Sequence, residues 1–346
     1  MNPTGGPPLL QVDSLRKVFE VGGGLFSRPL ELTALEDISF SVNQGETLGI
    51  VGESGCGKST LGRCILQLLP VDEGRVLWLG QDLTELSAEQ MRKRRRDLQV
   101  ILQDPLASLN PRMTVGEIIG APLISLNPEL GAKARRARVM KMMEAVGLLP
   151  EMINRYPHEF SGGQAQRIGI ARALVTEPKL VVCDEPVSAL DVSIQAQILN
   201  LLSALKDEFG LTLVFISHDL SVVRHVSDRI MVLYLGRMVE LGPTDDIYED
   251  TLHPYTRALL TAVPIPDPKK ARARSIDGLE GEIPSPINPP SGCTFRTRCR
   301  FAQDLCAEKR PAVEMLEDGR QVACHRWVEL REGESVLPNS DSPETV

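Results

Sequence analysis

The nine residues Gly52-Glu53-Ser54-Gly55-Cys56-Gly57-Lys58-Ser59-Thr60 constrain this chain more than any other stretch. An apolar run, Thr47-Leu48-Gly49-Ile50-Val51, precedes them and reads as a buried strand; Leu61-Gly62-Arg63-Cys64-Ile65-Leu66 follows and opens a helix. Strand, glycine-rich loop, Lys-Ser and helix together form a phosphate cradle. Glycines let backbone N–H groups turn inward around an anion, and the helix N-terminus adds partial positive charge. Lys58 is expected to reach the terminal phosphates and the Ser59 hydroxyl to sit on Mg²⁺. A chance glycine turn carrying a lysine is the competing reading, and the strand–helix context disfavours it. Cys56 reads as a filler of the loop, although a thiol near a helix N-terminus is a candidate for raised reactivity.

A chain of 346 residues accommodates one large domain and a smaller one, or two domains, and 42% hydrophobic content supplies an ordinary core. A net charge of −8 argues against a broad nucleic-acid footprint, so no nucleic-acid partner is expected. Met-Asn-Pro-Thr-Gly-Gly-Pro-Pro offers neither the basic nor the apolar region of a secretory signal. No window approaches the ~18 uninterrupted apolar residues of a membrane span, so a membrane role has to come through partners.

Residues 1 to about 50 alternate apolar and polar, as short antiparallel strands do, with Gly22-Gly23-Gly24 as a loop between them. Gly74–Gly80 reads as another strand, and the basic run Met91–Arg96 as a solvated helix face. From about 105 to 175 the pattern is helical, an insertion with helices opening at Thr114 and spanning Ala132–Val146. Leu180–Asp184 and Leu211–Ile216 are continuous apolar runs, typical of strands buried on both faces. Ile194, Ile198, Leu201, Leu202 and Leu205 between them fall at helical period, which makes a βαβ unit and a parallel sheet. Ile230–Tyr234 and Arg237–Glu240 read as a closing hairpin, and the prolines after 263 mark a boundary.

The acid pair Asp184-Glu185 ends a strand beside the phosphate loop, where α/β sheets bind ligands. Asp184 suits the Mg²⁺ shell, and Glu185 suits a general base acting on water, a role worth roughly 10²–10⁴ in rate. Helix capping is the plainer alternative for both acids. His218 ends the next strand and is placed to bond the γ-phosphate. Ser161-Gly162-Gly163-Gln164 forms a second helix N-terminus suited to phosphate. One chain has little use for two such ends on one nucleotide; two chains arranged head to tail use both.

Taken together, these residues resemble the ATP-binding subunits of ABC transporters. The resemblance takes Gly52–Thr60 as Walker A, Gln103 as the Q-loop and Mg²⁺ contact, Ser161–Gln164 as the signature and Leu180–Glu185 as Walker B. It takes Ser188–Asp191 as the D-loop, His218 as the switch histidine and Phe19 as the aromatic that stacks on adenine. Ala165 departs from the arginine many members carry, at a position remote from ATP chemistry. The implied fold is an α/β, RecA-like P-loop NTPase core over residues 1–262 with an antiparallel β-subdomain and the helical insertion. Glu185, His218 and Lys58 are the implied catalytic residues.

A narrower resemblance rests on Asp104–Arg112, Leu252–Leu260 and Ser285–Cys293, which are similar to the oligopeptide/dipeptide importer branch. It implies ATP hydrolysis driving peptide uptake, a second ATPase subunit of the same or sister sequence, two membrane permease subunits, and indirectly an extracytoplasmic substrate-binding protein. It also implies a peripheral position on the cytoplasmic face of the cell membrane. Nickel and glutathione importers are related alternatives. A non-transport ABC ATPase would usually bring heptad arms or a second ATPase domain, and a small-molecule P-loop kinase would have no use for Ser161–Gln164.

Cys293, Cys299, Cys306 and Cys324 lie in a C-terminal segment expected to form a small Cys-rich domain over 263–335, ahead of a polar tail at 336–346. Four thiolates suit Zn²⁺ or an iron–sulphur cluster, and the spacing C-x5-C-x6-C-x17-C leaves the metal open. The branch resemblance implies a [4Fe–4S] cluster, with Zn²⁺ the alternative and His325 a weaker candidate ligand.

Overall fold

A computed structural model describes residues 7–22, 29–262 and 281–332. Gly23, Gly24, Pro264, Pro266, Pro268 and the 336–346 tail lie outside the described residues. In chain order, β1 (Leu10–Val21) and β2 (Leu30–Val42) pair antiparallel, followed by β3 (Thr47–Val51) and α1 (Lys58–Ile65). Next come β4 (Glu73–Trp78), β5 (Gln81–Asp82), α2 (Ala88–Arg94) and β6 (Leu98–Ile101). The helical stretch holds α3 (Val115–Leu126), α4 (Ala132–Ala145) and α5 (Gly162–Leu174). Then follow β7 (Leu180–Asp184), α6 (Val192–Phe209), β8 (Thr212–Ile216), α7 (Leu220–Val226), β9 (Arg229–Tyr234), β10 (Arg237–Pro243), α8 (Thr244–Glu249) and α9 (Pro254–Thr261).

Among the described residues the main sheet runs β11-β12-β10-β9-β3-β8-β7-β6, where β11 is Glu314–Met315 and β12 is Gln321–Val322. Strands β9, β3, β8, β7 and β6 are parallel neighbours. Strands β3, β7 and β8 are buried at every position, as a sheet covered on both faces requires. Their side chains part by the two-residue period: Leu48, Ile50, Val182, Val214 and Ile216 join one core, with α1 and the smaller sheet β2-β1-β4-β5. Val181, Cys183, Leu213 and Phe215 join the other, with the helices. Alpha-helix α1 sits close to the sheet because residue 62 is glycine; a Cβ there would lie 2.9 Å from Ile216 and 3.0 Å from Val182.

The helical insertion begins with a capping box at Thr114 and Glu117, which supplies partners for the free N–H groups of α3. Helix α3 packs on α4 and α5, with Ile118, Ile119, Val139, Met142, Met143 and Ile168 buried together. The basic run starts on α2, where Arg92 and Lys93 are exposed as the sequence reading expects, but it extends past the helix end at Arg94, and Arg95 is half-buried and donates to the Leu66 and Gln67 carbonyls.

Two features depart from the sequence reading. Strand β6 has no counterpart in it: four residues are too few to show a period, yet they pair in parallel with β7 and deliver the chain to Gln103. Among the described residues, the C-terminal segment extends the main sheet and packs on its core, an attachment the sequence reading did not show. Strand β12 pairs with β10 through Glu240↔Val322, and Phe295, Cys293 and Cys299 pack into the main core. Arg320, 2% exposed, fixes the same edge by ion pairs to Asp250 at 2.9 Å and Asp318 at 2.8 Å. Two-residue strands give an edge extension no readable signal.

Candidate nucleotide site

The loop between β3 and α1 takes a form that side chains would prevent. Gly52 has φ +153°, and a Cβ on it would lie 2.2 Å from the Leu233 carbonyl oxygen. Gly57 has φ +103° and would place a Cβ 2.6 Å from the Ala34 carbonyl oxygen. Both obstacles are backbone, so neither position tolerates a larger residue cheaply.

Lys58 is buried and curls beneath the loop, donating from Nζ to the carbonyls of Gly52 at 2.8 Å and Glu53 at 3.0 Å. Ser59 Oγ donates to Asp184 Oδ1 at 2.7 Å, which joins the start of α1 to the end of β7. Glu185, one residue further, holds a left-handed backbone with φ +48°, a conformation costing a non-glycine residue about 1–2 kcal/mol. Its Oε2 accepts from Gln103 Nε2 at 3.0 Å and meets His218 Nδ1 at 3.2 Å. The ends of β6, β7 and β8 thus converge on one carboxylate oxygen, an arrangement produced by parallel strands in adjacent register.

Of these groups, Lys58, Ser59, Gln103, Glu185 and His218 face an open cleft of about 560 Å³, while Asp184 is buried and does not line it. The cleft is lined by Phe19, Ser54, Gly55, Gly57, Lys58, Ser59, Thr60, Gln103, Glu185 and His218. Leu32, Thr33, Ala34, Leu235 and Gly236 also line it without having been singled out as site residues, as does Pro286 of the Ser285–Cys293 motif. Phe19 is half-buried on β1 with the Lys17 ammonium 5.5 Å from its ring centre. Oxygen donors from Ser59 and Asp184, held 2.7 Å apart beside the loop, are the hard donor set Mg²⁺ takes.

Not every expected residue faces the cleft. Gly52, Glu53 and Cys56 form the back of the loop. Cys56 is 4% exposed, and burial pushes its thiol above the ordinary range, so it does not have the character of a reactive thiolate. The Glu53 carboxylate turns away from the cleft to pair with Arg298 at 2.6 and 3.0 Å. Its amide N–H donates to the Tyr255 hydroxyl at 3.0 Å. Ser161–Gln164 and Asp191 do not line the cleft either. Ser161 is exposed at the N-terminus of α5, with Gln164 completing a capping box, and Asp191 is exposed at the start of α6.

The four C-terminal cysteines are free thiols and line one small cavity of about 20 Å³ together with His253, Phe295, Phe301 and His325. Burial pushes Cys299 up to about 11 and Cys324 up to about 12, with repulsion from the neighbouring thiols adding to both. His325 Nε2 lies 2.9 Å from the Lys309 carbonyl, so one of its ring nitrogens is already engaged. Among the described residues, no three His, Cys, Asp or Glu side chains are arranged as a ready metal-holding set. The donor chemistry and shared cavity fit a thiolate-held metal; the present spacing of the thiols does not close a coordination shell.

Comparison with known proteins agrees with this geometry. The ABC transporter family model matches residues 35–188, and the model of the oligopeptide/dipeptide transporter C-terminal region matches 239–306. The chain is 57% identical over 319 residues to the oligopeptide transport ATP-binding protein OppF of Haemophilus influenzae, covering 91% of this chain and 96% of that protein. It is 51% identical to the dipeptide transport ATP-binding protein DppF of the same organism, covering 92% and 96% of the two chains. Among solved structures, the dimeric post-hydrolysis cassette MJ0796 bound to ADP and Pi aligns with TM-score 0.61 and 30% identity, covering 68% of this chain and 98% of that one. An ABC cassette fold, a phosphate loop facing the ends of three parallel strands, and this identity over nearly the whole length place the chain in the oligopeptide/dipeptide branch of the ABC transporter ATP-binding proteins.

Proposed function

We propose that this chain is the ATP-hydrolysing subunit of an ABC importer that drives uptake of di- and oligopeptides across the cytoplasmic membrane. The observation that carries the proposal is the Glu185 carboxylate, held by Gln103 and His218 across the cleft from Lys58 and the Ser59–Asp184 pair. Lys58 and the loop amides bind the β- and γ-phosphates, and Phe19 offers its ring to the base. Ser59, Asp184 and Gln103 would hold Mg²⁺, which would supply positive charge against the charge developing on the phosphates. Glu185 takes the proton of the attacking water, and His218 steadies both that carboxylate and the transferring phosphoryl group.

The signature residues Ser161, Gly162, Gly163 and Gln164, with Asp191, act on the nucleotide of the facing ATPase subunit. Support comes from the exposure of Ser161 and Asp191, the position of all five outside this chain's own cleft, and the dimeric state of the MJ0796 cassette. Nucleotide binding closes the pair and hydrolysis reopens it. Two membrane permease subunits receive that motion through the surface around Gln103 and α3, where Leu102, Leu106 and Ile124 are exposed. An extracytoplasmic substrate-binding protein would be engaged only indirectly. Among the described residues no helix is long and apolar enough to cross a membrane, so attachment to the cytoplasmic face runs through the permeases. Affinity capture of the full-length chain from its native membranes is expected to bring down two multi-span permeases. Recovery of ribosomes or DNA in their place would refute importer function.

We further propose that residues 263–335 are the branch's C-terminal unit and that Cys293, Cys299, Cys306 and Cys324 hold a [4Fe–4S] cluster. Four free thiols lining one cavity support this reading, and no step of ATP hydrolysis passes through the group. Iron analysis and electron paramagnetic resonance of anaerobically purified protein are expected to give about four irons per chain. Stoichiometric zinc without iron would overturn the choice.

A further inference from the structure

Arg298 reaches from the C-terminal segment into the back of the phosphate loop. Its guanidinium takes the Glu53 carboxylate with both terminal nitrogens, at 2.6 and 3.0 Å, in the parallel two-bond geometry that fixes orientation as well as distance. The side chains are 4% and 21% exposed, so this is a desolvated pair and not a solvent-screened one. The guanidinium also lies 5.9 Å from the ring centre of Tyr234. Tyr234, Tyr255 and Phe295 pack as three rings with centres 4.7 to 5.3 Å apart, and the Tyr255 hydroxyl accepts the Glu53 N–H at 3.0 Å. Glu53 is therefore held at both its main chain and its side chain by residues outside the ATPase motifs. The carbonyl of the same residue accepts from Lys58 Nζ at 3.0 Å, which links the clamp to the phosphate-binding lysine. A second brace lies nearby: Arg310 pairs with Glu36 at 3.0 Å, and the Glu36 amide donates to Gly236, a residue lining the cleft.

We propose that Arg298 is a positioning residue for ATP binding: by clamping Glu53 from behind, together with Tyr255, it sets the shape of the phosphate loop and the reach of Lys58. The inference rests on the ATPase reading above and assigns the C-terminal segment a part in it. Arg298 immediately precedes Cys299, so the loop and the thiol cavity share one continuous connection.

The test uses the full-length Glu185→Gln protein, in which MgATP is not consumed, with Kd measured calorimetrically and Tm measured without nucleotide. Arg298→Met is expected to raise Kd about tenfold, and Glu53→Gln to do the same, with the two together no worse than the larger single effect because they break one contact. Leaving one charge unpaired lowers Tm in the single variants. Arg298→Met combined with Glu53→Met leaves no unpaired charge and is expected to recover Tm while Kd stays raised. A Kd that returns to the parental value along with Tm, or that never rises, overturns the proposal. Lys58→Ala in the same series separates the two failures. If it loses MgATP binding while Arg298→Met keeps it, only the positioning role falls. If the parent binds no MgATP and Lys58→Ala changes nothing, the ATPase reading falls and takes this inference with it.

Discussion

Glu185→Gln is expected to lower the single-turnover rate of ATP hydrolysis by roughly 10²–10⁴ while leaving MgATP affinity within about twofold, because the amide keeps the shape but cannot accept a proton. The carboxylate oxygen that meets Gln103 and His218 can be matched by the amide oxygen, so the hydrogen bond from Gln103 survives and the strand ends stay in register. Loss of rate without loss of binding is the pattern of an interaction made only in the transition state. Its consequence for the assembly is a closed, ATP-loaded dimer that does not reopen. A hydrolysis rate that survives the substitution would remove Glu185 from the general-base role.

Lys58→Ala is expected to weaken MgATP binding at least about a hundredfold, the scale of losing a charged hydrogen-bond donor in a desolvated site. The ammonium has two duties in this structure. It donates to the Gly52 and Glu53 carbonyls, and among the described residues it is the one lysine or arginine lining the cleft, beside Ser54, Gly55 and Ser59. Truncation leaves two loop carbonyls without that partner, at about 1–3 kcal/mol each where water does not replace it. A modest fall in Tm therefore accompanies the loss of affinity. Lys58→Arg is not expected to rescue, because the buried ammonium donates to two loop carbonyls as a compact point charge, which a planar fork does not reproduce. MgATP affinity in Lys58→Ala within about tenfold of the parental value, measured by calorimetry, would contradict this role.

The loop and the two buried strands were legible because they leave the chain few alternatives. Gly52 and Gly57 occupy backbone shapes with a carbonyl in the place of a Cβ, and runs such as Leu180–Asp184 suit only a sheet covered on both sides. The hairpin of β9 and β10 was legible from two apolar runs around Gly236. What escaped was short or distant. Leu98–Ile101 is too brief for its period to show, although a strand is what Gln103 needs in front of it. The motif Leu252–Leu260 was noticed only by resemblance; the structure gives it physical content. His253 caps α9 through Nδ1 and Tyr255 holds the loop through its hydroxyl. Burial pushes Glu240 up to about 7, while its two oxygens accept from the Leu252 and His253 amides. Arg298 and Glu53 lie 245 positions apart, and no local pattern announces such a pair. The glutamate of the loop was read only as part of the phosphate cradle, and its carboxylate faces the C-terminal segment.

The most direct measurement is a structure of the Glu185→Gln chain with its facing ATPase subunit, trapped with MgATP. The account predicts each γ-phosphate between Lys58 of one subunit and the serine–glycine turn at the start of α5 in the other. A triphosphate touched by one polypeptide only, with Ser161 and Gly163 left in solvent, would contradict it.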